Sequence, residues 1–286
     1  MKVTKRLETD GLIFICDYSP PRTADPTVLA PIQELEADYI CVAYNPGRRV
    51  RVDSTVCAAT IKQQYGKDAI FNLSPRDMNK LALQSHLLGS QMLALDNVLV
   101  VHGDKFTDKE LMAVSSVRDY KATELIHAIK NMNEGLDYKG SKLEAATNLC
   151  IGASIDLGRG AEREAGLTHR KVLAGADFFI SQPVFTIDEI RSFEFAYAQT
   201  AGTNLTTPIF WGVQVLQQGG IIFSTVPQLI RAELEAGRDG AEIALEQVRM
   251  LHDVGIRTIY LIAPILRGGA RDYAAAQRVI TAARQL

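Results

Sequence analysis

Short apolar runs rich in β-branched residues recur eight times along this chain. Each is followed by a polar cluster and then a helical stretch. The runs cover residues 12–17, 39–44, 69–73, 98–102, 149–154, 178–182, 209–214 and 258–263. Strands that alternate with helices predict a parallel sheet. Eight such units predict an α/β fold, the (β/α)8 TIM barrel, which takes ~250 residues. The 286 residues suit one such domain over 1–286, and no linker or low-complexity stretch divides them. In a barrel of this kind the chemistry sits at the C-terminal ends of the strands. Here those ends read Asp17-Tyr18-Ser19-Pro20-Pro21-Arg22, Gly103-Asp104 and Ser181-Gln182-Pro183.

The helices are expected between the runs. Ala24-Asp25-Pro26 opens one that continues through Leu35, with Pro in its first turn. A second covers residues 56–65. Ser74-Pro75-Arg76-Asp77 is expected to cap a long helix to about Leu93, with Leu81, Gln84, Ser85, Leu88 and Met92 at helical spacing. Residues 105–120 read as a loop with a short helix, and 122–132 as helix. Further helices are expected over 161–173, 187–200, 240–254 and 274–285, and one turns in near Gly219-Gly220.

A net charge of −2 gives no reason to expect nucleic acid or an acidic membrane as partner. Residues 1–10 are polar and carry no apolar signal region, and no apolar run approaches the ~20 residues of a membrane span. A cytoplasmic protein is the expectation. Cys16, Cys41, Cys57 and Cys150 show no CxxC spacing, and three fall in expected strands, so they read as packed, reduced thiols. Strand alternation points Cys16 away from the face that carries Asp17.

Several strand-end residues admit two readings. Asp17, ahead of two prolines, leaves the barrel at a rigid point; it is either a general acid in an apolar mouth or a loop cap. Asp104 follows Gly103, which permits close approach of a ligand, or it caps the loop after it. His102 and Asp104 share a face. Carboxylates from the first and fourth strands would confront each other across the mouth. Gln182 can donate and accept, which suits a flat heterocycle, or it bridges loops. Gly158-Arg159-Gly160 stands before a helix and can cradle phosphate. Asn45-Pro46-Gly47-Arg48-Arg49 either grips an anion or is a solvated basic loop. No G-x-G-x-x-G fingerprint is present. His86, His127, His169 and His252 fall in expected helices without metal-ligand spacing.

Taken in order, the strand-end blocks resemble the catalytic domain of the methylenetetrahydrofolate reductase family. The first is Asp17-Tyr18-Ser19-Pro20-Pro21-Arg22. The second runs from Arg76-Asp77-Met78-Asn79 through residues 83–89 to Asn97-Val98-Leu99 and Gly103-Asp104. The third is Lys171 with residues 174–178 and Ser181-Gln182-Pro183-Val184, and the last is residues 259–264. The resemblance runs from about Leu12 to the C-terminus.

It implies a barrel that binds FAD, takes electrons from NAD(P)H and passes a hydride to 5,10-methylenetetrahydrofolate, giving 5-methyltetrahydrofolate. By resemblance, Asp17 assists opening of the five-membered ring, Asp104 lies by pterin and flavin, Gln182 binds the pterin and Arg267 the folate. Tyr44, Asn72, His102, Gly103, Asp104, Ser154, Glu164 and Lys171 are implied around the flavin. The chain also departs from the family pattern. Asp17 stands where Glu is usual, Ala43 where a hydroxyl residue is, Asn72 for His and His102 for Arg. The loops after the fifth and seventh strands lack their usual Pro and Asn. Alternatives on the same barrel are a flavin-free hydride transfer, a tetrahydrofolate-dependent methyltransferase or demethylase component, and a noncatalytic folate-binding subunit. A homo-oligomer or an electron-delivering partner is compatible with each.

Overall fold

In the computed structural model, which describes residues 1–117 and 119–286, eight parallel strands close into a barrel in sequence order. They are β1 (Ile13–Tyr18), β2 (Tyr39–Val42), β3 (Ala69–Leu73), β4 (Asn97–Val100), β5 (Cys150–Ile155), β6 (Phe178–Pro183), β7 (Ile209–Gln214) and β8 (Thr258–Ile262). Every predicted strand is present. The helices are α1 (Val3–Arg6), α2 (Ser54–Tyr65), α3 (Lys80–Met92), α4 (Asp108–Leu111), α5 (Ala122–Asn133), α6 (Ala161–Ala174), α7 (Ile187–Ala201), α8 (Gln228–Glu235), α9 (Gly240–Asp253) and α10 (Tyr273–Ala283). No helix among the described residues is long and apolar enough to cross a membrane.

Successive strand residues face opposite sides of the sheet, and this separates two cores. Phe14, Cys16, Ile40, Val42, Phe71 and Val98 point outward into the layer beneath the helices. Ile13, Ile15, Tyr39, Cys41, Ile70, Leu99, Phe178, Ile180 and Phe210 fill the barrel. Each fully buried side chain of this size contributes roughly 1.5–3 kcal/mol. Short α1 closes the lower end: Val3 is buried there, its N–H donates to Asn97 Oδ1 (2.9 Å), and Tyr39 Oη donates to the Lys2 carbonyl (3.0 Å). All four cysteines are free and buried, and burial pushes the Cys16 thiol up, with the Asp17 charge adding to it.

Four local expectations are corrected. Residues 26–34 form 3-10 turns, because Pro31 inside the segment cannot donate and would clash within an α-helix. Helix α3 starts at Lys80, where Asn79 Oδ1 accepts from the Ala82 N–H (2.9 Å). Ser74 does not cap it; its hydroxyl is spent on the His102 carbonyl and the Arg76 N–H. The helix also offers two leucine stripes. The sheet takes Leu83 and Leu87 with Gln84 and Ser90, leaving Leu81, Leu88 and Met92 outside. After Gly219-Gly220 the chain stays irregular until α8.

Between β6 and β7 the register shifts from Ile180 to Pro183. This irregularity swings Gln182 to the open end. It depends on Gly212, whose N–H donates to Ser181 Oγ (2.8 Å) and where an added Cβ would lie 2.7 Å from the Gln182 carbonyl. Gly212→Ala should therefore cost roughly 1–3 kcal/mol, the range for overpacking. Urea unfolding checks this, and an unchanged midpoint would show that the two strands are not locked at this point.

Candidate functional site

At the C-terminal end of the barrel five of the strands turn a polar side chain inward, beside the apolar Ala43, Val101 and Ile262. Asp17 follows Ile13 and Ile15 on β1, Asn72 follows Ile70 on β3, Ser154 ends β5, Gln182 ends β6 and Tyr260 lies on β8. These side chains line a cavity of about 750 Å³, together with Ala43, Tyr44, His102, Gly103 and Asp104. That is the size range of small-molecule sites. A second cleft of about 510 Å³, walled by Arg76, Phe106 and Tyr120, opens off it and shares residues 102–105.

Asp17 is the most constrained of these groups, with a side chain 8% exposed. Pairing of Ile15 with Tyr260 in the β1–β8 ladder sets the phenol beside the carboxylate, and Tyr260 Oη donates to Asp17 Oδ1 (2.9 Å). Burial first, and then the Asp17 charge, push the Tyr260 phenol well up, so it stays a neutral donor. Arg271 Nη2 lies 2.8 Å from Asp17 Oδ2. This contact is an ion pair without an aligned hydrogen bond, so Oδ2 is buried and lacks a donor. Arg271 is fixed by Ser19 Oγ (3.3 Å) and the Ala263 carbonyl (3.4 Å), and the Phe223 ring lies 5.9 Å from its guanidinium carbon. The mouth around Asp17 is thus polar and ion-paired, not the apolar setting expected from the sequence.

Asp104 is placed by the turn that ends β4. Gly103 adopts φ +77°, a conformation that favours glycine, and a Cβ there would strike Ser74. The turn lets His102 and Asp104 both line the cavity. Arg76, paired with Asp77 (2.6 Å), donates to the Asp104 carbonyl (2.7 Å) and holds the loop. The carboxylate of Asp104 and the amide of Gln182 have no hydrogen-bond partner among the described residues. Asn72 Oδ1 accepts from Cys41 Sγ (3.2 Å), leaving its amide nitrogen without an acceptor. Across the mouth Lys105, Arg159 and Arg163 supply positive charge. The last two flank the start of α6, where Gly160 leaves the first turn without a side-chain cap.

Residues 2–263 match the family described as methylenetetrahydrofolate reductase. The chain belongs to this family. Among solved structures it is similar to an uncharacterised protein from Clostridium thermocellum, described as binding two copies of 5-methyl-5,6,7,8-tetrahydrofolic acid. The TM-score is 0.64 and identity 14%, over 100% of this chain and 98% of that one. At that identity the likeness shows the (β/α)8 fold, which methylenetetrahydrofolate reductase family membership also gives.

Of the residues singled out from the family resemblance, Asp17, Tyr44, Asn72, His102, Gly103, Asp104, Ser154 and Gln182 come together around the one cavity. Glu164, Lys171 and Arg267 do not. Lys171 and Glu164 form a buried ion pair (3.2 Å) on the inner face of α6, and Lys171 also donates to the Ser154 carbonyl. Lys171 thus reaches the cavity only through β5. Arg267 lies on the loop after β8, donating to the Gly219 carbonyl (3.2 Å). That loop doubles back, with Ile265 bridged to Arg271, and so turns Arg271 inward in its place. Arg271 and Tyr260 were missed. Period-2 alternation from Thr258 would have marked Tyr260, whereas Arg271 depends on a loop turn that no strand period encodes.

Burial pushes the Lys171 ammonium down, opposed by the charge of Glu164. Lys171→Met should destabilise by about 3–5 kcal/mol, because Glu164 is left buried and unpaired. Adding Glu164→Gln should recover part of it. Urea unfolding of the three variants is the check. A stable Lys171→Met protein with weakened cofactor binding would instead mean direct contact with the cofactor.

Proposed function

We propose that this protein reduces 5,10-methylenetetrahydrofolate to 5-methyltetrahydrofolate at the barrel mouth, with FAD as the hydride carrier and NAD(P)H as the reductant. The observation that carries the proposal is the buried carboxylate of Asp17, one oxygen held by Tyr260 and the other ion-paired with Arg271 (2.8 Å), facing Gln182 and Asp104 across one cavity. Membership of the methylenetetrahydrofolate reductase family supports the reaction class. The Clostridium thermocellum protein, on the same fold, binds the product of that reaction.

The residues fit a dinucleotide. Arg159 and Arg163, at the uncapped start of α6, would hold its diphosphate. Asn72, His102 and Tyr44 would meet its ring system. Bound flavin supplies the hydride. The chain's own residues do the rest. Gln182 donates to and accepts from the pterin edge, which fixes its orientation. Opening of the five-membered ring leaves a cationic iminium, and a carboxylate already in place stabilises that charge without reorganisation. Asp104, free of any ion pair among the described residues, has this role. Asp17 serves proton transfer at the nitrogen that leaves, with Tyr260 and Arg271 holding the shorter side chain in position. Positioning matters at this scale, since a displacement of ~1 Å can cost about a hundredfold in rate.

Direct hydride transfer from NAD(P)H is the second reading. It is favoured by the departures from the family pattern on the cofactor side, Ala43 for a hydroxyl residue, Asn72 for His and His102 for Arg.

An absorption spectrum with added FAD tests the first reading. Flavin bands should appear, bleach with NAD(P)H and return with methylenetetrahydrofolate. A colourless protein that still turns over would shift the assignment to direct transfer, and no turnover by either route would overturn the reductase. Asp17→Asn should slow folate reduction by about 10²–10⁴-fold, the usual contribution of acid–base catalysis. NAD(P)H oxidation by an artificial acceptor should change only a few-fold. Equal losses in both would contradict a role confined to the folate half-reaction.

A further inference from the structure

On the outer side of the barrel α3, α5 and α6 enclose a groove of about 730 Å³, and none of the residues that line it also lines the mouth. Its floor is the outer face of α5, where Thr123, His127 and Asn131 follow one another at helical spacing. That stretch of helix is about 12 Å long. A hairpin forms one wall. In it Leu136 bridges Lys142, and Asp137 Oδ1 accepts from the Lys139 and Ser141 N–H groups (2.8 Å each).

Gln84 of α3 fastens the hairpin, its Oε1 accepting from the Tyr138 N–H (2.7 Å). A backbone N–H can only donate, so the amide is held one way round. Its Nε2 is thereby left in the groove wall, buried and without an acceptor among the described residues, in a side chain that belongs to a residue 5% exposed. A buried donor left unpaired is costly unless a ligand or water completes it. The charges of the groove are unbalanced in the same sense. Its carboxylates are spent on backbone N–H groups: Asp137 within the hairpin, Glu124 on Lys121 (2.7 Å) and Asp119 on Lys80 (3.3 Å). The ammonium of Lys80 and the guanidinium of Arg170 have no carboxylate partner among the described residues; Lys80 Nζ lies over the Tyr120 ring (4.9 Å).

These free donors fall into two groups. Lys80 opens α3 and Gln84 follows one turn later on the same face. Arg170 lies near the end of α6 and Asn131, whose amide has no partner among the described residues, near the end of α5. Helices of a barrel run in one direction, so the start of α3 and the ends of α5 and α6 are opposite ends of the groove. Ala128, Leu136 and Leu173 supply apolar surface to the same groove. We propose that this groove is a second ligand site, for a small linear dicarboxylate. One carboxylate meets Lys80 and Gln84, the other meets Arg170 and Asn131, and the methylene chain lies along α5.

Calorimetric titration of the whole protein at low ionic strength with adipate, acetate and inorganic phosphate is the test. Adipate should bind roughly tenfold more tightly than acetate, because once one end is held the other pairs at high effective concentration. Lys80→Gln and Arg170→Gln, both on the solvent side of the groove, should each bring the ratio of the two dissociation constants close to one. Gln84→Glu keeps an acceptor for the Tyr138 N–H but removes the donor, and should weaken adipate. For the unaltered protein the adipate advantage should shrink as salt rises to about 0.5 M, because exposed pairs are screened. This arm needs no variant to fold. Equal binding of adipate and acetate by the unaltered protein would overturn the proposal, as would inorganic phosphate binding as tightly as adipate. An advantage that survives Lys80→Gln and Arg170→Gln but is lost in Arg159→Gln with Arg163→Gln would place the dianion at the mouth and overturn it too.

Discussion

Closure of the sheet, β1 upon β8, is the constraint on which the rest depends. The pairing of Ile15 with Tyr260 and of Cys16 with Leu261 joins the two ends of the chain. It also sets the Tyr260 phenol against Asp17, residues separated by almost the whole sequence. An open sheet would leave Asp17 as a strand-end carboxylate in water. Closed, it is a buried anion with a phenol and a guanidinium in contact. Burying a charge costs several kcal/mol unless it is paired and hydrogen-bonded. Tyr260 and Arg271 offset that cost, one at each carboxylate oxygen.

Apolar residues below support this polar layer. The barrel is filled mainly by Ile, Leu and Phe with Tyr39, Cys41 and Cys150, and the site occupies the layer above. The scaffold can thus hold several buried polar groups because the packed filling beneath them and the outer core under the helices carry the folding energy. Charges are divided by sector around the rim. Acids stand near the centre, Lys105, Arg159 and Arg163 on the α6 side, and Arg49 and Arg51 on the β2 and β8 side. A ligand with a cationic reacting centre and anionic extremities matches that distribution.

Much of the fold could be read from the sequence, for a definite reason. Parallel barrel strands are buried on both faces, so they appear as short continuous apolar runs, and eight of them leave few architectures. The strand-end motifs were legible for the same reason: Asp17, Asp104 and Gln182 interrupt apolar runs at one phase of the repeat. Features set by tertiary context were not legible. Leu81, Leu88 and Met92 have the spacing of a buried stripe as good as that of Leu83 and Leu87, and only the sheet decides between them. Lys171 sits within a motif, yet its ammonium is turned inward by Glu164. Arg271 reaches Asp17 through a loop that doubles back at Gly268 and Gly269, while Arg267 occupies the outer arm of that loop.

The central claim is that the mouth is built around the buried carboxylate of Asp17 and receives a tetrahydrofolate there. A crystal structure with 5-methyltetrahydrofolate bound tests it most directly. The account predicts the pterin in the main cavity, hydrogen-bonded to Gln182, with a donor from the ligand or an ordered water on Asp17 Oδ2. Folate density away from Asp17 and Gln182, with the Asp17–Arg271 contact unchanged, would contradict it.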